Sequence, residues 1–263
     1  MAKMIDLEKT LSIAQSAIRR AGDYLRDQFE LDHAIWEKHP HDINIAEDLE
    51  SDKLILAVLA KYFPEHKIIS EESGISGQKN SEYVWLIDPL DGTTNFSLNV
   101  PLFCTQLALA QGQKVILSII YLPTSDMMMW AIKGKGTLID GKKVGVSRND
   151  NLRRSIIALE RGKEKKDFEW LGRSLPKIAR NCRTYRNFNC TGIDTYLLAK
   201  GAIDGIVTCG AALHDVTPAV SAVIEAGGRI TDERGKPWKF GSKFFVATNG
   251  KIHEKLLKVI NEK

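Results

Sequence analysis

An α/β chain with mixed sheets is the fold class the sequence predicts, on three observations. Residues 7–29 set Leu7, Leu11, Ala14, Ile18, Ala21, Leu25 and Phe29 three and four apart, which is one face of an amphipathic helix. Short apolar runs such as Val84-Trp85-Leu86-Ile87 are too brief for helices and rich in β-formers, as a strand buried on both faces would be. Helix-like and strand-like segments of this kind are interspersed along the whole chain, with turn residues between them.

The remaining elements follow in order. Residues 36–48 are polar and carry Pro40, so they read as a loop. His33, His39 and His41 lie there at spacings of six and two, which fit no common helical metal pair. A second helix over 46–62 stops before Pro64, and a short strand over 67–70 delivers Glu71-Glu72-Ser73-Gly74. After the strand at 84–87 come strands at 103–110 and 115–121, then 127–132 and 136–139 ahead of an Asp140-Gly141 hairpin turn. The three Met at 127–129 have no His or Cys at fixed spacing and read as core filler. A strand at 155–159, a helix at 167–174 running into Pro176, and a strand at 183–188 follow. Residues 191–201 form a helix capped by Thr191, with Gly192 near its start where N–H groups can meet anions or hydroxyls. A strand at 203–208, a helix opening at Leu213 and ending at Gly227-Gly228, strands at 230–232 and 244–247, and a helix at 252–260 complete the chain. It divides into an N-terminal half, 1–150, carrying the acidic loop and a C-terminal half, 151–263.

Composition narrows the function. At 263 residues, 43% hydrophobic and 27% charged, the chain can bury a substantial core as one large or two intimate domains. A net charge of +4 with Lys and Arg spread along the chain excludes a dedicated nucleic-acid binder. The densest basic cluster, Arg161, Lys163, Lys165 and Lys166, is broken by Glu164 and followed by Asp167, so it reads as a solvated loop. Cys104, Cys182, Cys190 and Cys209 form no C-x-x-C pair and read as free thiols of a reducing cytosol. With no signal-like N-terminus and no run near the ~18 to 20 apolar residues of a membrane span, a soluble cytoplasmic protein is expected.

The chemistry concentrates after the strand at 84–87, in Asp88-Pro89-Leu90-Asp91-Gly92-Thr93-Thr94-Asn95. Two Asp three apart, with a rigid Pro between them, can aim both carboxylates and a carbonyl into one volume, as a hard cation such as Mg²⁺ requires. Gly92 permits close backbone approach, and Thr93 and Thr94 can bond a phosphate or a water. The same string is good β-turn sequence. Glu71 and Glu72, adjacent on a strand end, point to opposite sides, so at most one readily joins a single site. Asp215 is a natural N-cap with Pro218 in the first turn, a complete role without any metal. No Ser-His-Asp or Cys-His constellation and no Walker or G-x-G-x-x-G loop is present.

The longer string D-P-L-D-G-T-T-N-F resembles the signature of the inositol monophosphatase family, Mg²⁺-dependent and lithium-sensitive phosphatases, without a mismatch. The resemblance runs from a loop with Lys38, Asp42 and Asp48, through Glu71-Glu72-Ser73, to Asp215 and Glu225-Ala226-Gly227-Gly228. It departs at Asn44 and Ile45, which replace Val and Thr, at His214, which replaces a Trp, and at Thr217-Pro218-Ala219. The resemblance implies a layered α/β/α/β/α sandwich, usually a homodimer, with two or three Mg²⁺ ions. It implies Glu71, Asp88 and the Leu90 carbonyl as ligands of one ion, and Asp88, Asp91 and Asp215 as ligands of another. Thr93 with Glu71 would orient the attacking water, Gly92 and Thr94 would meet phosphate, and Lys38, Asp48 and Glu72 would support. Glu71, Thr93 and Asp88 are thus the catalytic candidates, and Gly92, Thr93, Thr94, Gly192 and Asp194 the substrate-binding ones. Asp194 can bond polyol hydroxyls or serve only as a first-turn helix acid. The implied activity is hydrolysis of a small polyol or sugar phosphate. Thr208 stands where inositol-binding members carry a Glu, so histidinol phosphate and fructose 1,6-bisphosphate stay open as substrates. A regulatory protein of this fold with little turnover is the alternative from another class.

Overall fold

Helix α1, Leu7–Gln28, begins where the Asp6 carboxylate accepts the N–H groups of Glu8 and Lys9, both at 3.1 Å. It buries the stripe seen in the sequence, Leu11, Ala14, Ile18, Ala21 and Leu25. In this computed structural model residues 5–39 and 42–262 are described; the side chains of Lys38, His39 and Asp42 lie outside that set, and with them the supporting role implied for Lys38.

The segment read as a loop forms a two-stranded hairpin instead, β1 at Ile35–His39 and β2 at Asp42–Ile45. Ile35 pairs with Ile45 and Glu37 with Ile43, so β-branched residues supply the cross-strand contacts that the polar average concealed. His33 is structural: its Nδ1 lies 3.0 Å from Glu47 Oε1 and its ring packs on Phe96. Helix α2, Ala46–Tyr62, keeps its expected bounds.

A mixed eight-stranded sheet follows. Its strands are β3 (Lys67–Ser70), β4 (Gly74–Gly77), β5 (Tyr83–Asp91), β6 (Cys104–Gln111), β7 (Lys114–Leu122), β8 (Met127–Ile132), β9 (Gly136–Ile139) and β10 (Lys142–Val144). They lie in the order β10-β9-β8-β7-β6-β5-β3-β4, and only the β3/β5 pairing is parallel. One short helix, α3 (Thr93–Ser97), interrupts the path from β5 to β6. The expected strand at 84–87 therefore runs on through the acidic motif to Asp91. Asp88 pairs with Gln106 and Asp91 with Cys104, so three steps along β5 face two along β6, which is a bulge. Pro89, lacking an N–H, is tolerated there.

The second sheet holds β11 (Ile156–Arg161), β12 (Thr184–Arg186), β13 (Gly205–Cys209), β14 (Arg229–Thr231) and β15 (Phe244–Thr248) in the order β12-β11-β13-β15-β14. Around it run α4 (Lys165–Asn181), α5 (Thr191–Ala199), α6 (Leu213–Glu225) and α7 (His253–Asn261). Pro176 does not stop α4, because Trp170, Leu175 and Ile178 pack against the second core and outweigh one lost backbone bond. Helices α1 and α2 cover one face of the large sheet, α5 and α6 lie between the sheets, and α4 and α7 cover the far face. The result is the layered α/β/α/β/α sandwich. Helix α5 is flanked by sheets on both sides, and Thr191 through Tyr196 are all buried. Among the described residues no helix is long and apolar enough to cross a membrane.

His253 locks the last elements together. It is fully buried, with Nε2 2.9 Å from Thr231 Oγ1 and Nδ1 2.9 Å from Thr248 Oγ1. Burial, assisted by Arg229, lowers its pKa to about 4. The unfolded chain takes up a proton near pH 6.5 that the folded chain refuses, so this contribution is complete above that pH and declines as pH falls toward 4. Urea unfolding of the wild type is expected to lose about 2 kcal/mol from this group between pH 7.5 and 5. His253→Gln, measured alongside, is expected to show a loss smaller by that amount.

Candidate active site

Three stretches far apart in sequence meet at one end of the sandwich. Glu71 follows β3 directly, and its N–H donates to Ile87 O at 3.1 Å, which sets it beside Asp88. Ser70 and Ser73 both donate to Asp52 of α2 and fix this turn. Only Glu71 of the pair turns toward His214; Glu72 at the rim accepts from Asn44 Nδ2 at 3.1 Å. Asn44, one of the departures from the family pattern, is thus employed in holding the second Glu.

The β5 bulge is pinned from below. Ser51 Oγ donates to Pro89 O at 2.8 Å, and Thr93 Oγ1 donates to Leu90 O at 3.0 Å while lying 3.4 Å from Asp48 Oδ1. Gly92 has φ +94, and a Cβ there would press on Leu102 O, so glycine is required.

Gln106 of β6 draws the carboxylates together. Its Nε2 donates to Asp88 Oδ2 at 3.2 Å, Asp91 Oδ2 at 2.9 Å and the Asp215 carbonyl at 3.3 Å. Sequence reasoning missed this residue; its only signal was one long amide inside an otherwise apolar strand core, where it is fully buried. Asp215 is not the N-cap of α6. Ala212 holds that position, and Asp215, three residues on, accepts its N–H at 3.2 Å while leaving Oδ1 beside His214 Nε2 at 3.1 Å. Farther along α6, Glu225 accepts Gly134 N and Gly136 N, tying the helix end to the large sheet.

Two candidates are placed elsewhere than expected. The Gly192 N–H donates to Asp91 Oδ2 at 2.6 Å, so it positions a carboxylate and does not line the cleft. Cys190, not Thr191, is the N-cap of α5. Asp194 is wholly buried beneath the cleft, because α5 is enclosed by both sheets. Burial, then Glu160 and Asp91, raises its pKa well above the ordinary range, and burial brings Glu160 to about 8, so both acids favour the neutral form; neither Asp194 oxygen has a hydrogen-bond partner. The basic segment also departs from expectation. Arg161, Gly162, Lys163 and Glu164 line the cleft, because Gly162 packs tightly against Gly210 and Asp167 and draws the loop inward. Arg161 stacks over Phe168 at 3.8 Å. Thr208 lies in the cleft wall with its hydroxyl buried and unpartnered.

The electrostatics are those of a site built for cations. Burial, then Glu71, Asp91 and Asp215, holds Asp88 well above the carboxylate range. Burial and Asp215 bring Asp91 to about 7, and burial with Glu72 and Glu71 brings Asp48 to about 8. Burial alone would raise Asp215, but His214 outweighs it and holds that carboxyl below its ordinary value. His214 is opposed by burial and still rises to about 11, held between Asp215 and Glu71. Asp88 Oδ1 is buried without any hydrogen-bond partner.

The sequence model of the inositol monophosphatase family matches residues 6–263. This chain belongs to that family. As a member of the inositol monophosphatase family it is a phosphoric monoester hydrolase. Its relatives include a protein of Aquifex aeolicus named fructose-1,6-bisphosphatase/inositol-1-monophosphatase, 30% identical over 259 residues that cover 97% of each chain. Among solved structures, the extragenic suppressor protein suhB of Bartonella henselae superposes with a TM-score of 0.92 at 27% identity, over 97% of this chain and 99% of the other. The inositol monophosphatase of Anabaena (Nostoc) sp. PCC 7120 superposes with a TM-score of 0.87 at 28% identity, over 97% and 96%.

Gly192 offers a test of how tightly this family site is packed here. A Cβ at that position would overlap Cys104 Sγ and crowd Asp91 Oδ2. Gly192→Ala is expected to cost about 1–3 kcal/mol in urea unfolding and to lower phosphate release at least about tenfold, by displacing Asp91. Adding Cys104→Ala removes the obstructing sulfur and is expected to recover most of both losses.

Proposed function

We propose that the protein hydrolyses a small phosphate monoester of the polyol or sugar class, typified by inositol monophosphate, with Mg²⁺ as cofactor. The observation that carries this reading is the meeting of Asp88, Asp91 and Asp215 on one Gln106 amide, with Glu71 alongside. The residues fit the ion: the carboxylates offer the all-oxygen donor set a hard cation prefers, and a buried, unpartnered Asp88 Oδ1 lies among them. Glu71, Asp88 and the Leu90 carbonyl would hold one ion, Asp88, Asp91 and Asp215 a second, and a third would sit beside Glu71. When bound, Mg²⁺ screens the phosphoryl charge and eases deprotonation of a water.

The chain's own groups do the positioning. Thr93, already fixed by Leu90 O and Asp48, would orient the attacking water together with Glu71. Gly92 and Thr94 would present backbone N–H groups to the phosphate at the cleft wall. Gly192 and Gln106 would keep Asp91 aimed inward. Attack would be direct and in line, with no phosphorylated residue.

A second substrate reading rests on Arg161 and Lys163, which line the cleft and suit a second anionic group. Fructose 1,6-bisphosphate has that chemistry, and the Aquifex relative's name includes that activity. Histidinol phosphate belongs to the same panel. A regulatory protein with little turnover is the competing class. Lithium sensitivity and a homodimer belong to the same proposal and are carried over from the family, and a cytoplasmic location joins them on the sequence features given above.

Phosphate release should be assayed on inositol, sugar, fructose 1,6-bis- and histidinol phosphates. Activity is expected to vanish with a chelator and return with Mg²⁺, and Asp88→Asn or Asp215→Asn should each lose at least about a hundredfold. Turnover indifferent to metal, or absent on every ester, would sink the proposal. If the bisphosphate is a substrate, Arg161→Ala is expected to lower its kcat/KM by about tenfold and to leave the monophosphate within about twofold.

A further inference from the structure

The family pattern has a Trp, which offers no ligand atom, where this chain carries His214. The residue stands in the first turn of α6, one position before Asp215, and its imidazole reaches across to the end of β3. Nε2 lies 3.1 Å from Asp215 Oδ1 and 3.5 Å from Glu71 Oε2, and the ligand atoms of the three residues all fall within 4.8 Å of one another. In an octahedral shell with bonds of ~2.1 Å, adjacent donors lie about 3.0 Å apart and opposite ones about 4.2 Å. The two distances from Nε2 lie near the adjacent-donor spacing, and the three side chains are grouped closely enough to converge on one ion with a small adjustment. A second observation points the same way: Asp88 Oδ1, on a residue 1% exposed, lines this cleft with no hydrogen-bond partner.

We infer that His214, together with Glu71 and Asp215, is a ligand of the third ion, the one beside Glu71, and that its nitrogen moves that position's preference from Mg²⁺ toward Mn²⁺, Co²⁺ or Zn²⁺. The inference rests on the phosphatase reading of the same cleft. Its chemical basis is that imidazole is a borderline donor which first-row transition ions bind far better than Mg²⁺ does, whereas carboxylates alone suit Mg²⁺ and Mn²⁺ alike. A Trp at this position would leave an oxygen-only site. The simpler role for His214, an ion pair with two acids, makes a different statement about a loaded site: the imidazole would then stay outside the metal's coordination shell.

The test loads the full-length protein with Mn²⁺ and reads pulsed EPR for ¹⁴N coupling from a coordinated imidazole, alongside Mn²⁺ and Mg²⁺ binding titrations. Wild type is expected to show the coupling. His214→Ala and His214→Trp, the latter restoring the family's residue and both checked by circular dichroism, are expected to lose it. Both variants should bind Mn²⁺ at least about tenfold more weakly and Mg²⁺ within about threefold of wild type. Bound Mn²⁺ without ¹⁴N coupling, or coupling that survives in both variants, would overturn the inference and leave the phosphatase reading intact. A protein that binds neither ion would overturn both.

Discussion

The constraint on which the structure depends is the confinement of several carboxylates in one poorly hydrated cleft. Two like charges ~4 Å apart repel by about 4 kcal/mol at the effective dielectric of a partly buried site. Asp88, Asp91 and Asp48 answer that pressure with pKa values far above those of free carboxylates. Such a cluster persists only if the surrounding fold is stable enough to force it. Glu71, Asp88, Asp91 and Asp215 come from a strand end, a bulge and a helix start, each anchored in the sandwich.

The layering explains how the force is applied. Helix α5 between the sheets delivers one backbone N–H to Asp91, and β6 delivers one amide to Asp88, Asp91 and the α6 backbone. The bulge in β5 brings the two Asp of the motif within reach of that amide despite their offset along the strand. Below them, burial pushes Asp194 and Glu160 toward their neutral forms, which keeps the floor of the cleft from adding two further full charges.

Much of this was legible in the chain. The stripe of α1 followed from periodicity, because that helix lies against one sheet face and keeps a polar side, and the end of α2 followed from the stop before Pro64. The acidic motif was visible as a cluster, and the family signature singled out Asp215, which local sequence by itself favoured as a helix cap. What was hidden depends on pairing across elements. Gln106 acquires its role from the β5/β6 register, which no local pattern encodes. The depth of Asp194 follows from the sheets on both sides of α5. The hairpin at 35–45 was lost in a polar average, and Pro176 was read as a stop because its packing partners are distant in sequence. The inward turn of Arg161 and Lys163 likewise comes from Gly162 nesting on Gly210, a contact across forty-eight residues.

The four cysteines give the fold a further property. All are buried; Cys104 and Cys190 stand sulfur to sulfur at 3.8 Å beside Asp91, and burial pushes Cys104 up to about 12 and raises Cys190 well above the ordinary thiol range. Thiol oxidation proceeds through the thiolate, and a disulfide needs its sulfurs at about 2.05 Å, so the native pair is chemically idle. An opened chain would expose four thiols at their ordinary pKa of about 8.5 and could cross-link in non-native ways. Oxidising conditions would therefore leave folded molecules untouched and make each unfolding excursion hard to reverse, turning stability into a question of rate.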